Sequence, residues 1–321
     1  MTELLDLDLL FVTGKGGVGK TTVAAALAEV AARSGRRVLV CEMDAKGALA
    51  TAFGVASLGF EPTEIEPGLR AMSMSTEDSL REYLRLFVKV PFIGRIGPLA
   101  STFDFVADAA PGVKEILAVG KLCWEVHERH HDLVVVDAEA SGHVVSQIGA
   151  PKVIADLVQV GLVRDQTRWM LDILEDPSRT GVAVVTTPEE MPVTESIELL
   201  ERLTTDTGTH PSMVVANRVL PAMFNKREQP IARRLPDVVP VLRAAVGPGA
   251  GAVVDAGTIV EARRAIGVTH LDRLRSAIDD LELVADGAPL PVVTVPELFG
   301  RSHGRRVVSL VADALSDEIE R

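Results

Sequence analysis

The chain has 321 residues, 47% of them hydrophobic and only 4% aromatic, with a formal net charge of −12. That length and apolar content exclude a disordered tail or a disulfide-stapled miniprotein. The acidic balance, with no Lys/Arg run longer than a pair such as Arg36-Arg37 or Arg305-Arg306, argues against a nucleic-acid partner. Cys41 and Cys123 fall in different predicted elements and read as small buried hydrophobes. The segment Met1–Asp6 is acidic where a secretory signal would be basic, and no apolar run reaches the length of a membrane span, so the expectation is a cytoplasmic protein without direct membrane insertion.

Leu9–Thr13 predicts a strand and Lys20–Arg33 an alanine-rich helix that can lie close on a sheet. Between them stands Gly14-Lys15-Gly16-Gly17-Val18-Gly19-Lys20-Thr21-Thr22. Glycines let successive amides curl around phosphate oxygens, and the first helical turn adds unpaired N–H groups and a positive dipole end. In this pattern Lys20 reaches the β- and γ-phosphates, and the Thr21 hydroxyl ligates Mg²⁺. A plain phosphate loop has no use for Lys15. The same residues also contain G-x-G-x-x-G, with Glu42 and Asp44 following the next strand, Val38–Glu42. A dinucleotide-dependent oxidoreductase is therefore an alternative, though that reading leaves Lys15, Lys20 and Thr21 without a role.

From Glu77 to Arg129 the periodicity turns helical, broken at Pro91, Pro98 and Pro111-Gly112, which predicts a helical subdomain over 76–131 inserted between two core strands. Helices over the catalytic edge offer a surface to a client or partner. His130-His131 reads as a solvated helix end, and Met170 and Met191 as isolated methionines. Leu133–Asp137 is a buried strand ending in a carboxylate, as needed to hold a metal-bound water opposite Thr21. A turn over 138–143 and helices through about Asp176 follow. Further strands are expected at Val182–Thr186, Met213–Asn217 and Val292–Val295, with helices at Glu189–Leu203 and near Ile259–Leu283. Gly247–Gly251 reads as a mobile connection. A final helix, Ser302–Arg321, carries an apolar stripe at Val308, Val311, Leu315 and Ile319 and an acidic opposite face, which favours docking on protein over an anionic bilayer. The sum is one α/β P-loop domain over 1–321, a doubly wound, mostly parallel sheet that takes a Mg²⁺-bound nucleotide.

With Lys15 inside it, the glycine loop resembles the deviant P-loop of the ATPases related to partition, septum-site and nitrogenase-reductase proteins. Among these the chain resembles the arsenical-pump-driving and tail-anchored-protein-targeting ATPases. Their first switch, D-P-A-H-S-x-S-D-A-F-G, is followed in frame by Asp44–Gly54, which keeps the first Asp and the Phe-Gly end. Their second, D-T-A-P-T-G-H, is echoed by Asp137-Ala138-Glu139-Ala140-Ser141-Gly142-His143. Pro111–Glu115, Asn217-Arg218-Val219 and Pro291–Gly300 also look like family blocks, so the likeness spans nearly the whole chain. It is most similar to the short actinobacterial members that occur as two paralogous chains. The resemblance implies a homodimer, or a heterodimer with a paralogous ATPase, that closes on ATP with Lys15 reaching the partner's phosphates. It also implies Asp44 as the group that polarises the attacking water, Asp137 as a contact to Mg²⁺ through water, and Asn217 and Pro296 at the adenine. The C-x-x-C that staples targeting ATPases and the clustered cysteines of an arsenite site are absent, as is a thiolate after Asp137 for an iron–sulfur cluster. The substituted second switch opens a further alternative, a nucleotide-responsive binding module with negligible hydrolysis.

Overall fold

The computed structural model describes residues 6–85, 113–157, 162–285, 287–300 and 303–319. Its centre is an eight-stranded sheet in the order β10-β7-β6-β1-β5-β2-β4-β3. The strands are β1 Leu9–Gly14, β2 Val38–Glu42, β3 Thr63–Glu66, β4 Leu69–Ser73, β5 Leu133–Ala140, β6 Thr180–Thr186, β7 Pro211–Val219 and β10 Val292–Pro296; a small hairpin pairs β8 Val284–Ala285 with β9 Ala288–Pro289. Every pairing in the large sheet is parallel except that of the edge strand β3 with β4. β1 and β2 are buried along their whole length, which is why they read as unbroken apolar runs rather than alternating ones.

Helices cover both faces, as a doubly wound sheet requires. On one face lie α1 (Lys20–Arg33), α2 (Ala48–Phe53) and the last helix, α11 (Arg305–Ile319), packed with Leu10, Val12, Val40 and Val135. The alanines of α1 explain its place: Ala24, Ala25, Ala26, Ala28 and Ala31 are all buried, because α1 is wedged between sheet and α11 where larger side chains would not fit. The stripe Val308, Val311, Leu315 and Ile319 of α11 is buried as its spacing demands. The other face carries α4 (Val113–His127), α5 (Ser141–Leu157), α6 (Leu162–Leu174), α7 (Glu190–Arg202) and the C-terminal end of α10 (Ala250–Asp280), packed on Leu9, Phe11, Leu39 and Cys41. Met170, isolated in sequence, is buried there with Met43, Met72 and Met74, whereas Met191 is exposed.

The helical stretch between β4 and β5 begins with α3 (Thr76–Tyr83), capped by Ser75, whose hydroxyl accepts from the Asp78 amide at 3.2 Å. Residues 86–112, with Phe87, Pro91, Pro98 and Pro111-Gly112, lie outside the described residues. α4 packs directly on the sheet through Leu117, Val119, Leu122, Cys123 and Val126, so this part of the stretch is a layer of the core. On α4 itself Lys121 is buried between Glu82 of α3 at 2.9 Å and Glu125, one turn on, at 2.8 Å. His131 is not solvated, contrary to the expectation from its helix-end position. Its side chain is buried 3.5 Å from Glu125, while only His130, 3.0 Å from the same carboxylate, stays half exposed. Both imidazoles converge on the buried Glu125 carboxylate, a long-side-chain contact that periodicity alone does not register.

Three further boundaries differ from expectation. β5 runs three residues past Asp137 and passes straight into α5, so 138–143 is strand then helix rather than a turn. α10 starts at Ala250, earlier than the apolar spacing indicated. Gly247–Gly251 joins α9 (Val239–Val246) to α10, with Gly247 at φ 105° closing α9. Together with α8 (Gln229–Ala232) these helices form an arm. Between Leu220 and Ile266 only Gly251 is buried, while Met223, Ile231, Val238, Val241, Val246, Val253, Ile259 and Ile266 are all exposed.

Candidate nucleotide site

The register brings the predicted residues to one edge. Val12 of β1 pairs with Asp137 of β5, and Asp137 pairs with Glu42 of β2, so the glycine loop, the β5 carboxylate and the end of β2 share the carboxyl ends of adjacent strands. β1 is also where the chain switches sides of the sheet, with β2 reached past β5 and β6 on the opposite flank. Ligands of open α/β sheets collect at that crevice.

The loop from Gly14 to Gly19 has the backbone its glycines predict. Gly14 sits at φ 148°, and a Cβ there would lie 2.1 Å from the Val185 carbonyl; Gly17 and Gly19 have φ 87° and 96°. Gly19 is the residue before α1, and no side chain caps that helix, whose first turn holds no acidic residue. The helix therefore presents uncapped amides at a positive dipole end, the arrangement that holds an anion. By contrast the N-terminus of α2 is filled by protein. The Glu42 carboxylate accepts from the amides of Gly47 at 3.2 Å, Ala48 at 2.7 Å and Leu49 at 3.4 Å. This occupies one of the two acids, Glu42 and Asp44, that a dinucleotide reading would have placed on a ribose.

Lys20 folds back over the loop and donates to the Lys15 carbonyl at 3.2 Å. Burial lowers its pKa, and the neighbouring Asp137 carboxylate works in the opposite sense. Thr21 Oγ1 donates to Asp137 Oδ2 at 2.6 Å. Burial lifts the Asp137 carboxyl to about 6 against the opposing Thr21 hydrogen bond and the Lys20 charge. A hydroxyl and a carboxylate side by side form an oxygen-only pair suited to a hard cation that takes its other ligands from phosphate and water. Among the described residues there is no group of three His, Cys, Asp or Glu placed to hold a metal by themselves. Mg²⁺ held jointly with a nucleotide fits this donor set, and zinc does not. Both cysteines are buried, with burial raising the Cys123 thiol to about 12 and Cys41 higher still.

Asp44 follows β2 at the same edge and is paired with Lys46, a lysine that sequence reasoning left unused. The second-switch segment is tied down on two sides: Thr13 Oγ1 donates to the Glu139 carbonyl at 3.0 Å and Gln147 Nε2 to Glu139 Oε1 at 2.9 Å. Asn217, expected at the adenine, lies against the loop, where its amide acts as a brace. Nδ2 donates to the Val18 carbonyl at 2.8 Å and Oδ1 accepts from the Arg218 amide at 2.9 Å. A cavity of about 390 Å³ opens beside this brace, lined by Gly19, Thr22, Asn217, Pro296 and Phe299 among others, so Pro296 and Thr22 do meet in one pocket. Lys15, finally, is held by a residue that no motif pointed to: its Nζ lies 2.6 Å from Glu195 Oε1 of α7.

Residues 7–165 and 157–235 match the family model of the anion-transporting ATPases, which carries the description ArsA ATPase. The chain belongs to that family. ATPase BagA of Mycobacterium tuberculosis is 30% identical over 238 residues, covering 71% of this chain and 69% of the relative. ATPase ASNA1 homolog 1 of Paramecium tetraurelia is 31% identical over 150 residues, 46% of this chain and 44% of its own. ATPase get3 of Schizosaccharomyces japonicus is 32% identical over 157 residues, 48% and 47% of the two chains. The P-loop fold and a nucleotide-binding ATPase function are thus properties this family member shares. None of its described helices is long and apolar enough to cross a membrane.

Proposed function

We propose that the chain is a Mg²⁺-dependent ATPase in which nucleotide state switches the association of two subunits, a second copy or a paralogous chain, and through them a protein client, in the cytoplasm. The observation that carries this reading is the Thr21–Asp137 hydrogen bond beside an uncapped helix N-terminus across which Lys20 lies. In the proposed site the amides of Gly14, Lys15, Gly16, Gly17, Val18 and Gly19 and the first turn of α1, with Thr22, wrap the phosphates, and Lys20 exchanges the Lys15 carbonyl for the β- and γ-phosphate oxygens. Thr21 and, through water, Asp137 hold Mg²⁺, which when bound neutralises charge on those phosphates. Asn217 keeps the loop against β7 and, with Pro296, borders the adenine.

Hydrolysis then needs positioning and charge more than covalent chemistry. A water oxygen bonds to the γ-phosphorus as the bond to the β,γ-bridging oxygen breaks. Asp44, released from Lys46, orients that water and takes its proton, while Lys20 and Lys15 balance the charge on the phosphoryl oxygens. The products are ADP and inorganic phosphate. Changing Lys20 to Ala should lower phosphate release about 10²-fold or more; a variant as fast as its parent in a purified preparation would remove the assignment of the loop. The ties on Glu139 favour a second reading, slow turnover with ATP acting mainly as a ligand. Light-scattering mass with and without Mg²⁺-ATP, alongside phosphate release, separates the two: association without phosphate above background supports the second.

A further inference from the structure

The Lys15–Glu195 pair joins residues 180 positions apart in the chain. It is half-shielded, with the two side chains 29% and 30% exposed. Glu195 is not at α7's surface by chance of rotamer alone. The adjacent Thr194 receives a hydrogen bond from Arg273 Nη2 of α10 at 2.9 Å, and Gly267 of α10 packs so closely on Pro188, just ahead of α7, that a Cβ would lie 3.1 Å from its ring. The helix that presents Glu195 is therefore clamped, and α10 continues from that clamp into the exposed arm.

We propose that Glu195 is a positioning residue that restrains Lys15 in the unassociated subunit, holding its ammonium on the chain's own carboxylate until a nucleotide-bound second copy offers phosphate oxygens in exchange. This rests on the reading above, in which Lys15 serves the partner's nucleotide. The exchange conserves charge pairing at each stage. Lys15 is neutralised by Glu195 before association and by phosphate after it, so a free ammonium is never left in the half-buried edge. Association on ATP must first break a pair worth the modest amount typical of partly exposed ion pairs, and the pair thus sets the ATP concentration at which subunits join.

The test uses the full chain and Mg²⁺ with a slowly hydrolysed ATP analogue, reading subunit mass against analogue concentration. Glu195→Gln keeps the shape of the side chain and removes its charge. It should lower the midpoint concentration by up to about fivefold, with the thermal midpoint of the nucleotide-free chain unchanged. Glu195→Asp, shorter but charged, should fall between Gln and the parent. The double variant Glu195→Gln/Lys15→Ala should associate no better than Lys15→Ala alone. If Glu195→Gln leaves the midpoint where it was or raises it, while Lys15→Ala abolishes association, the restraint is wrong and the reading of Lys15 stands. If Lys15→Ala associates like the parent, the reading itself fails and the restraint falls with it.

Discussion

The nucleotide edge and the arm over 220–266 are both built from regular secondary structure, yet they are stabilised in opposite ways. Around the edge, β1 and β2 have no exposed residue and α1 has nine buried positions in its fourteen. Along the arm, only Gly251 is buried and eight large apolar side chains face outward. The first is held by burial and register, so a phosphate loop can be displayed on it without shifting. The second is helical by propensity and a few polar ties, such as the Met223 amide to Glu261 at 3.3 Å, and it displays apolar surface that the edge conceals. Rigidity sits where chemistry needs preorganised amides, and exposed apolar area sits where the chain contributes least to its own core.

That contrast can be broken by substitution. Phe11→Ala, at a fully buried position in β1, should cost about 3–5 kcal/mol by urea unfolding; a small loss would mean that the strand is less tightly packed than its burial indicates. Glu125→Gln, in the buried cluster with Lys121 and His131, should cost about 3 kcal/mol at pH 7, because a buried ammonium loses one of its two carboxylates. Burial pushes the Glu125 carboxyl up, but His131 and Lys121 outweigh it and hold it at about 2, against a usual 4.5. A folded pKa below the unfolded one contributes stability above about pH 4.5 that is lost as pH falls toward 2. The parent should thus lose stability in that window more steeply than the Gln variant, and parallel slopes would contradict the cluster. At the small end, Ile259→Ala on the arm, where the side chain is 61% exposed, should change stability by no more than about 0.5 kcal/mol. A loss several times larger that grows with protein concentration would show that a second molecule covers the arm.

Much of the fold was legible in local pattern. Buried parallel strands read as apolar runs, α1 as a run of alanines, and the stripe of α11 by its helical spacing, because each follows from the period of the element and the faces it buries. The edge strand β3, the short α2 and the arm ahead of Ile259 were not legible. Thr63–Glu66 and Gln229–Val246 carry polar and apolar residues in no clean period, and burial, which imposes period, is slight there. His131 shows the same limit in reverse, since a residue with a polar name is buried against the Glu125 carboxylate of α4.

The glycine loop by itself raised the expectation of a phosphate site at the start of the first helix, since its glycines and the following Lys-Thr are properties of a few adjacent residues. Only the tertiary structure decided what those residues touch. Asp137 meets Thr21 through the register of β1 with β5, Glu42 is committed to the amides of α2, Asn217 braces Val18, and Glu195 takes Lys15. Such pairings are set by how distant strands and helices stack, and no short stretch of chain contains that information.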